Sequence, residues 1–529
     1  MPSRWWPTPW STPSCNERRG DHPCDHERRR GRDRDGAVPD RGPAMNRRGL
    51  LVLLVVVAVL SALGVLAVGS ARGATAATAA TAATAPDTGS ATPADTVTAV
   101  PPLPPAVAAA LAAGLPVVAW VAHAGAKLEP CGCVAGMHGG LARRATLLMR
   151  TDPNRLLVLE GGGWSGGGAD YQILRAHTYL DALALSGCRA VGVGSAEVRL
   201  GADVLADLAA GAGHPPLVCA NVRASDGHAL FATFVAVTCA GQRFAITSVA
   251  PAEAAEAAGA GLTVGDPAAA LIDLQPHVVG MRLIVLADLD EDHLAALAAA
   301  VPGLDLVVGG AVAQPSQSVR AIGTCRVVHV ANEGKTIGWW PWGDAACAFD
   351  LIGAGLPDDP GVRTAIQAYQ ERLGALDLRS DQTDEEMTAL DPGDHGAARY
   401  VGTASCITCH PRALDSWVHS RHAQALAALQ ARHYDVDPDC LRCHVTGLSL
   451  PDGYHRHGSA TASALVAAVT CESCHGRASV HAAEQAAGRA ASGTLEPVTP
   501  ATCLRCHDAE NSPSFAYTAY WEKISHDAR

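Results

Sequence analysis

The chain predicts two folded parts: an α/β domain over residues 115–357 and a mainly α, loop-rich domain over residues 399–529. Three observations carry this. From about residue 115 to 355, short β-rich runs alternate with alanine-rich helical stretches, the pattern of buried strands joined by helices. Eight of the 17 cysteines fall in four C-x-x-C pairs within the last 130 residues. That places metal or cofactor chemistry in one segment, not a disulfide net along the chain. Aromatic residues make up only 4%, so either small side chains pack closely or a bound group supplies bulk.

Residues 1–44 are rich in Arg, Asp, Pro and Trp without a hydrophobic period, and read as disordered or as a start assigned too early. Met45, followed by Arg47 and Arg48, is the better start. Leu50 to Gly69 is an apolar run of 20 residues without a charge, long enough for a membrane span. The preceding arginines leave the N-terminus in the cytoplasm and export the rest. Residues 45–72 are thus expected to be a transmembrane signal anchor. A cleaved signal peptide is the alternative, since Ser70–Ala74 offers small residues, and it exports the chain equally. Residues 73–114 form an Ala/Thr/Pro-rich linker.

The α/β reading rests on Leu156–Leu159, Ala190–Val193, Phe244–Ile246, Leu283–Leu286 and Leu306–Val308 as strands. Cys188, Cys219, Cys239, Cys325 and Cys347 lie in these apolar stretches and read as buried, inert thiols. Residues 358–398 form an acidic connector around one helix near 361–376. The net charge of −12 excludes nucleic acid as a partner, because polyanions select basic surfaces.

The C-terminal pairs are each followed by histidine: Cys406/Cys409/His410, Cys440/Cys443/His444, Cys471/Cys474/His475 and Cys503/Cys506/His507. C-x-x-C-H is the haem c attachment pattern. Two thiols add to the vinyl groups of one porphyrin, and the adjacent imidazole becomes the proximal iron ligand. Zinc ribbons place their pairs about 15–20 residues apart and need no adjacent histidine, whereas here the gaps are 30, 27 and 28 residues. Disulfides leave the histidines unexplained. Four covalently attached haem c groups are therefore expected, with porphyrins replacing much of a core and folding dependent on them. Seven further histidines, His419, His422, His433, His455, His457, His481 and His526, supply candidates for distal ligands.

Several stretches carry a closer likeness: Tyr400-Val401-Gly402, Trp417, Ser420-Arg421-His422-Ala423, Cys443-His444-Val445-Thr446-Gly447, Val469–Gly476, His481 and Tyr520–His526. Over Tyr400–His526 the chain resembles the tetrahaem cytochromes that accept electrons from hydroxylamine oxidoreductase. The resemblance implies that His422, His481 and His526 are distal ligands and that one haem lacks a second protein ligand. It does not say which histidine serves which haem.

Residues 115–357 resemble a metallophosphoesterase domain of the 5'-nucleotidase type, an α/β sandwich, with its metal ligands erased. Such a site holds two metals on Asp, His and Asn at strand ends. Here those places read Ala122-His123-Ala124-Gly125, Leu159–Gly163, Gly194-Ser195-Ala196-Glu197, Leu286-Ala287-Asp288 and Gly310–Ala313. His123, Glu160, Glu197 and Asp288 do not rebuild it. The segment also carries Cys131-Gly132-Cys133, readable as a redox dithiol, half a metal site or a disulfide, and Arg143-Arg144, readable as surface charge or an anion site.

The expected protein is a membrane-anchored, extracytoplasmic (periplasmic) tetrahaem c-type cytochrome that passes electrons between redox partner proteins or from a quinone-linked donor. A multihaem oxidoreductase acting on a small nitrogen or sulfur species, and a phosphohydrolase fused to a cytochrome, are the alternatives.

Overall fold

Strands buried on both faces must be apolar throughout, and those of this chain are. Val117–Val121 is buried at every position. Val117, Ala119 and Val121 face a helical layer, while Val118 and Trp120 face a second sheet. The first sheet runs in the order Ala348–Leu351, Thr336–Pro341, Val117–Val121, Leu156–Glu160, Cys188–Gly192 and Leu217–Val218. The last four strands are parallel neighbours, and Thr336–Pro341 joins them antiparallel. The second sheet runs Arg320–Ile322, Cys325–Ala331, Leu306–Val312, Arg282–Ala287, Gln242–Val249 and Val235–Cys239. Between the sheets lies a shared core of Val118, Trp120, Leu157 and Leu159 with Phe244, Ile246, Ile284 and Leu286. Helices cover both outer faces, which makes a four-layer α/β sandwich.

This computed structural model describes residues 100–526 apart from 131–137, 313–314, 377–397, 451, 458–459, 491–494, 509–510 and 513. The expected tail, the anchor over 45–72 and Cys131 and Cys133 lie outside the described residues. Among those described, no helix is long and apolar enough to cross a membrane.

Aromatic side chains are buried both under the helices, as with Trp164, Tyr171, Tyr179 and Trp339, and where the two sheets meet. Trp120 packs edge-on against Phe349 at 5.8 Å, and Trp342 meets both Phe244 at 4.8 Å and Trp340 at 5.0 Å. Gly338 is needed opposite Trp120, since a β-carbon there would sit 2.2 Å from the indole. Large rings thus fill this core without any bound group. The five cysteines read as buried are buried, and burial holds the Cys188 thiol up at about 12.

Two segments assigned to linkers belong to the helical layer. Pro105–Ala112 is a helix whose Val107 and Ala110 are buried in that core. Pro360–Ala375, capped by Asp359 with proline at its start, buries Val362, Ile366, Tyr369 and Leu373 there. In both, apolar residues three and four apart make one stripe; the second is the helix expected near 361–376, and composition concealed only that it packs into the core.

The C-terminal region consists of short helices, among them Pro411–Val418, Pro438–His444, Cys471–His475, Ser479–Ala486 and Tyr517–Ile524. Its apolar cluster is small: Leu426, Leu429, Leu441, Val445, Leu448, Tyr454 and Val466. That is little for a region of this length, as a domain organised around bound groups requires.

Arg144, one of the two arginines read as surface charge or an anion site, is neither. It is 2% exposed and its Nη2 donates to Glu160 Oε2 at 2.5 Å. Tyr179 Oη donates to the other carboxylate oxygen at 3.0 Å. Burial pushes the Glu160 carboxyl above its ordinary range, and Arg144 opposes that push. The pair ties the helix Leu141–Leu148 to the end of the strand Leu156–Glu160. Removing one member of a buried ion pair costs about 3–5 kcal/mol, whereas replacing both with apolar groups of like volume is close to neutral. Arg144→Met is therefore expected to destabilise the α/β sandwich by that amount. Arg144→Met combined with Glu160→Leu is expected to recover most of it, both read from denaturant midpoints of the sandwich.

Candidate functional site

A helical turn explains the motif spacing. Residues i, i+3 and i+4 share one side of a helix, so both cysteines and the histidine of C-x-x-C-H face one way. The second motif ends the helix Pro438–His444 and the third is the helix Cys471–His475. In the first and fourth motifs, the His410 and His507 amides donate to the Cys406 and Cys503 carbonyls at 2.9 Å. Three of the motif histidines have Nδ1 engaged. His444 Nδ1 donates to the Ala425 carbonyl at 2.7 Å and His475 Nδ1 to the Glu496 carbonyl at 3.2 Å. His507 Nδ1 lies 3.2 Å from Ser512 Oγ. A hydrogen bond of this kind orients the ring and leaves Nε2 for a metal.

Three of these histidines face another imidazole. His410 and His481 have ring centroids 6.3 Å apart, His422 and His507 6.2 Å, and His475 and His526 5.8 Å. With metal–nitrogen bonds of about 2 Å and a further ~1 Å from nitrogen to ring centre on each side, two imidazoles sharing one metal have centres roughly 6 Å apart. The separations therefore fit an iron between each pair. Among the described residues His444 is not paired in this way. Burial lowers the His422 pKa, and the nearby His507 and His444 rings lower it further. Of the remaining histidines, His419, His433 and His457 are exposed, and His455 Nε2 bonds the Leu450 carbonyl at 2.6 Å.

The cysteines of different motifs also meet. Cys406 is within hydrogen-bonding reach of Cys471 and Cys443 of Cys506. Cys474 interacts electrostatically with Cys503. A cleft of about 690 Å³, open to solvent, runs beside Cys443 and Cys506 and is lined also by Val445, Leu448 and Val469.

Cys409 differs from the other motif cysteines in its surroundings. It is exposed, whereas the other seven motif cysteines are partly buried. His410 beside it is exposed as well. The physical reason is the segment that follows: the helix Pro411–Val418 begins directly after His410 and has no buried residue. That helix therefore adds no buried side chain at this end of the first motif. Spacing still puts Cys409 on the same side of the turn as Cys406, but at the surface and not in a core.

The conspicuous C-terminal landmarks form the clasp that holds these motifs. Glu472, 2% exposed, accepts from the amides of Val401, Gly402 and Ala478 at 2.8–3.1 Å. Gly402 has a φ of 75°, and a β-carbon would sit 2.8 Å from the Leu465 carbonyl. Trp417 Nε1 donates to the Val469 carbonyl at 2.8 Å. Thr446 Oγ1 reaches Ala468 O, Thr470 Oγ1 and Ser473 Oγ at 2.7–2.9 Å.

At the strand ends of the α/β sandwich Glu197, Asp288 and Glu160 are committed to the fold. Glu197 is fully buried. Its carboxylate accepts from the amides of Gly163, Ser165 and Gly194 at 2.8–2.9 Å. Asp288 Oδ2 accepts from the Ser195 amide at 2.6 Å, and Oδ1 lies 3.4 Å from His123 Nε2. Glu160 belongs to Arg144. The space is closed as well: a β-carbon at Gly163 would sit 2.6 Å from His123 Nδ1, and one at Gly162 2.8 Å from Gly194 Cα. Among the described residues no group of three His, Cys, Asp or Glu side chains is placed to hold a metal ion.

Sequence reading missed the polar contacts that join the two parts. Tyr171 and Arg175, on the helix Asp170–Leu185, bond Asp439 beside the second motif. Only half of this was visible in the sequence: Asp437-Pro438 is a helix cap followed by proline, and it does cap the motif helix.

Residues 405–476 match the family model described as cytochrome c554 and c-prime. The chain is 31% identical over 94 residues to cytochrome c-554 of Nitrosomonas europaea, covering 15% of this chain and 39% of that protein. This chain thus spans well under half of the curated relative that it matches. Among solved structures, the 5'-nucleotidase precursor of Thermus thermophilus is similar with a TM-score of 0.42 at 23% identity, over 50% of this chain and 60% of that one. The sulfate thiohydrolase SoxB of Thermus thermophilus gives 0.41 at 15% identity, over 48% and 60%. The C-terminal domain therefore resembles cytochrome c554, a likeness that implies covalently held haem c, and it follows an α/β sandwich in the same chain.

Proposed function

We propose that this protein is an extracytoplasmic tetrahaem cytochrome that relays electrons between redox partners. The carrying observation is the set of three motif histidines each facing a second imidazole at 5.8–6.3 Å. Cys406/Cys409, Cys440/Cys443, Cys471/Cys474 and Cys503/Cys506 would hold one haem each, with His410, His444, His475 and His507 as proximal ligands. His481 would be the distal partner of His410, His526 of His475, and His422 of His507. Haem iron with two imidazole ligands changes oxidation state without gaining or losing a ligand, which suits a relay.

The meeting of cysteines suggests an order. Cys406 near Cys471, Cys474 near Cys503 and Cys506 near Cys443 put the motifs in the sequence first, third, fourth, second. On this reading electrons enter or leave by the first and second haems, and the exposure of Cys409 supports the first of these as a surface contact. The apolar segment 50–69 would tether the protein at the membrane, within reach of a quinone-linked donor. On this reading the α/β sandwich serves as a scaffold, since Glu197 and Asp288 at its strand ends accept from backbone amides.

A second reading attaches to His444, which faces no second imidazole among the described residues. Its haem would keep an open position and could bind a small nitrogen or sulfur species there.

Mass spectrometry of the exported protein is expected to find four haems in thioether linkage to the eight cysteines, the exposed Cys409 included. Disulfides joining Cys406 to Cys471 and Cys443 to Cys506, or free thiols, would refute the proposal. His422→Ala, His481→Ala and His526→Ala are each expected to convert one haem from low to high spin by EPR, against at most one high-spin haem in the unaltered protein. Nucleotide hydrolysis with added manganese or zinc is expected to be absent, and EDTA-sensitive turnover would restore the phosphohydrolase reading.

A further inference from the structure

The α/β sandwich holds the second motif by a set of mostly buried polar contacts. Tyr171 is fully buried, and its hydroxyl donates to Asp439 Oδ1 at 2.6 Å. Arg175 Nη2 donates to Asp439 Oδ2 at 2.7 Å, and Nη1 lies 3.8 Å from Asp437 Oδ2. The guanidinium also stacks over the Tyr171 ring at 5.4 Å. Asp437 in turn accepts from the Asp439 amide at 2.9 Å, capping the helix Pro438–His444 that carries Cys440, Cys443 and His444. Asp439 is the residue immediately before Cys440. Tyr434 hydrogen-bonds Glu129, which Arg363 holds by two bonds, the longer of them 3.0 Å. Arg456 reaches back to the Gly374 carbonyl. These contacts converge on the stretch that presents the second motif.

We propose that the α/β sandwich supplies the positioning and electrostatic half of the second haem site, with Arg175 and Tyr171 holding the Asp437–Asp439 turn and so setting the reduction potential of the haem on Cys440 and Cys443. This rests on the reading of that motif as a haem site. The physical case is one of partly shielded charge: the Arg175 side chain is 12% exposed and that of Asp439 35%. Arg175 offsets carboxylate charge at the first turn of the motif helix, where Arg442 of the same helix also interacts with Asp439, so loss of Arg175 leaves added negative charge there. Charges shielded from water act strongly on a nearby titrating or redox centre. Ferric haem carries one positive charge more than ferrous haem, so added negative charge favours the ferric form and lowers the potential. Arg175 is a positioning residue, acting through Asp437 and Asp439. The motif held in this way is the one whose histidine, His444, has no facing imidazole among the described residues.

Potentiometric titration of the full haem-loaded protein tests this. Arg175→Gln is expected to move one of the four redox steps to lower potential and leave three in place, with Arg175→Lys restoring most of the shift. Asp439→Asn is expected to move the same step to higher potential. Tyr171→Phe, which keeps every charge, is expected to move it less than either. Four unmoved steps in Arg175→Gln with haem content intact, or four steps moving together, would overturn the inference. Should Arg175→Gln fail to load haem, Asp439→Asn and Tyr171→Phe decide the matter, and an unmoved step in Asp439→Asn is the refuting result. Absence of haem from Cys440 and Cys443 in the unaltered protein would instead refute the tetrahaem reading itself.

Discussion

A single turn of helix that sets two thiols and an imidazole on one side is the constraint behind the C-terminal domain. The turn is short, so the backbone around it has few apolar neighbours, and the cluster around Leu441 and Val466 is correspondingly small. Such a domain needs other ties. Glu472 gathers three backbone amides, Thr446 links the second motif to the third, and Trp417 pins its helix to Val469. These polar ties are costly to leave unmade once buried, so they hold the loops in one arrangement while presenting the histidines in facing pairs.

The α/β sandwich follows a different logic. Its sheets are apolar on both faces and aromatic rings are buried both between them and under the helices, so it has a conventional core. The strand ends, where a ligand would bind in such a fold, are closed by glycines in contact with one another and by carboxylates bonded to amides. Glu197 illustrates this: an ionisable side chain at a strand-end turn holds three backbone donors. What the sandwich offers instead is a rigid surface, and the helix Asp170–Leu185 uses it to grip the segment before Cys440.

Local chemistry was legible in the sequence wherever covalent spacing or a short period expressed it. The motif turns, the strands with apolar residues at every position and the buried cysteines are such cases. The helices Pro105–Ala112 and Pro360–Ala375 were read as linker and connector because alanine, proline and charge dominate their composition, although their apolar residues recur at helical spacing. Arg144 was misread for a related reason: adjacent arginines look like a solvated face until a distant carboxylate is brought beneath one of them. Cys409 shows the converse limit, since four identical motifs give no hint that one of them opens to the surface.

By itself the sequence determined which residues can carry the chemistry: eight cysteines, four adjacent histidines, and a set of further histidines available as partners. Only the tertiary structure decided which imidazole faces which, and that His444 is left without one among the described residues. It also decided that Arg175 meets Asp439, 264 positions away. The reason is that spacing within a turn follows from backbone geometry, whereas a pairing across hundreds of residues depends on how every intervening element packs.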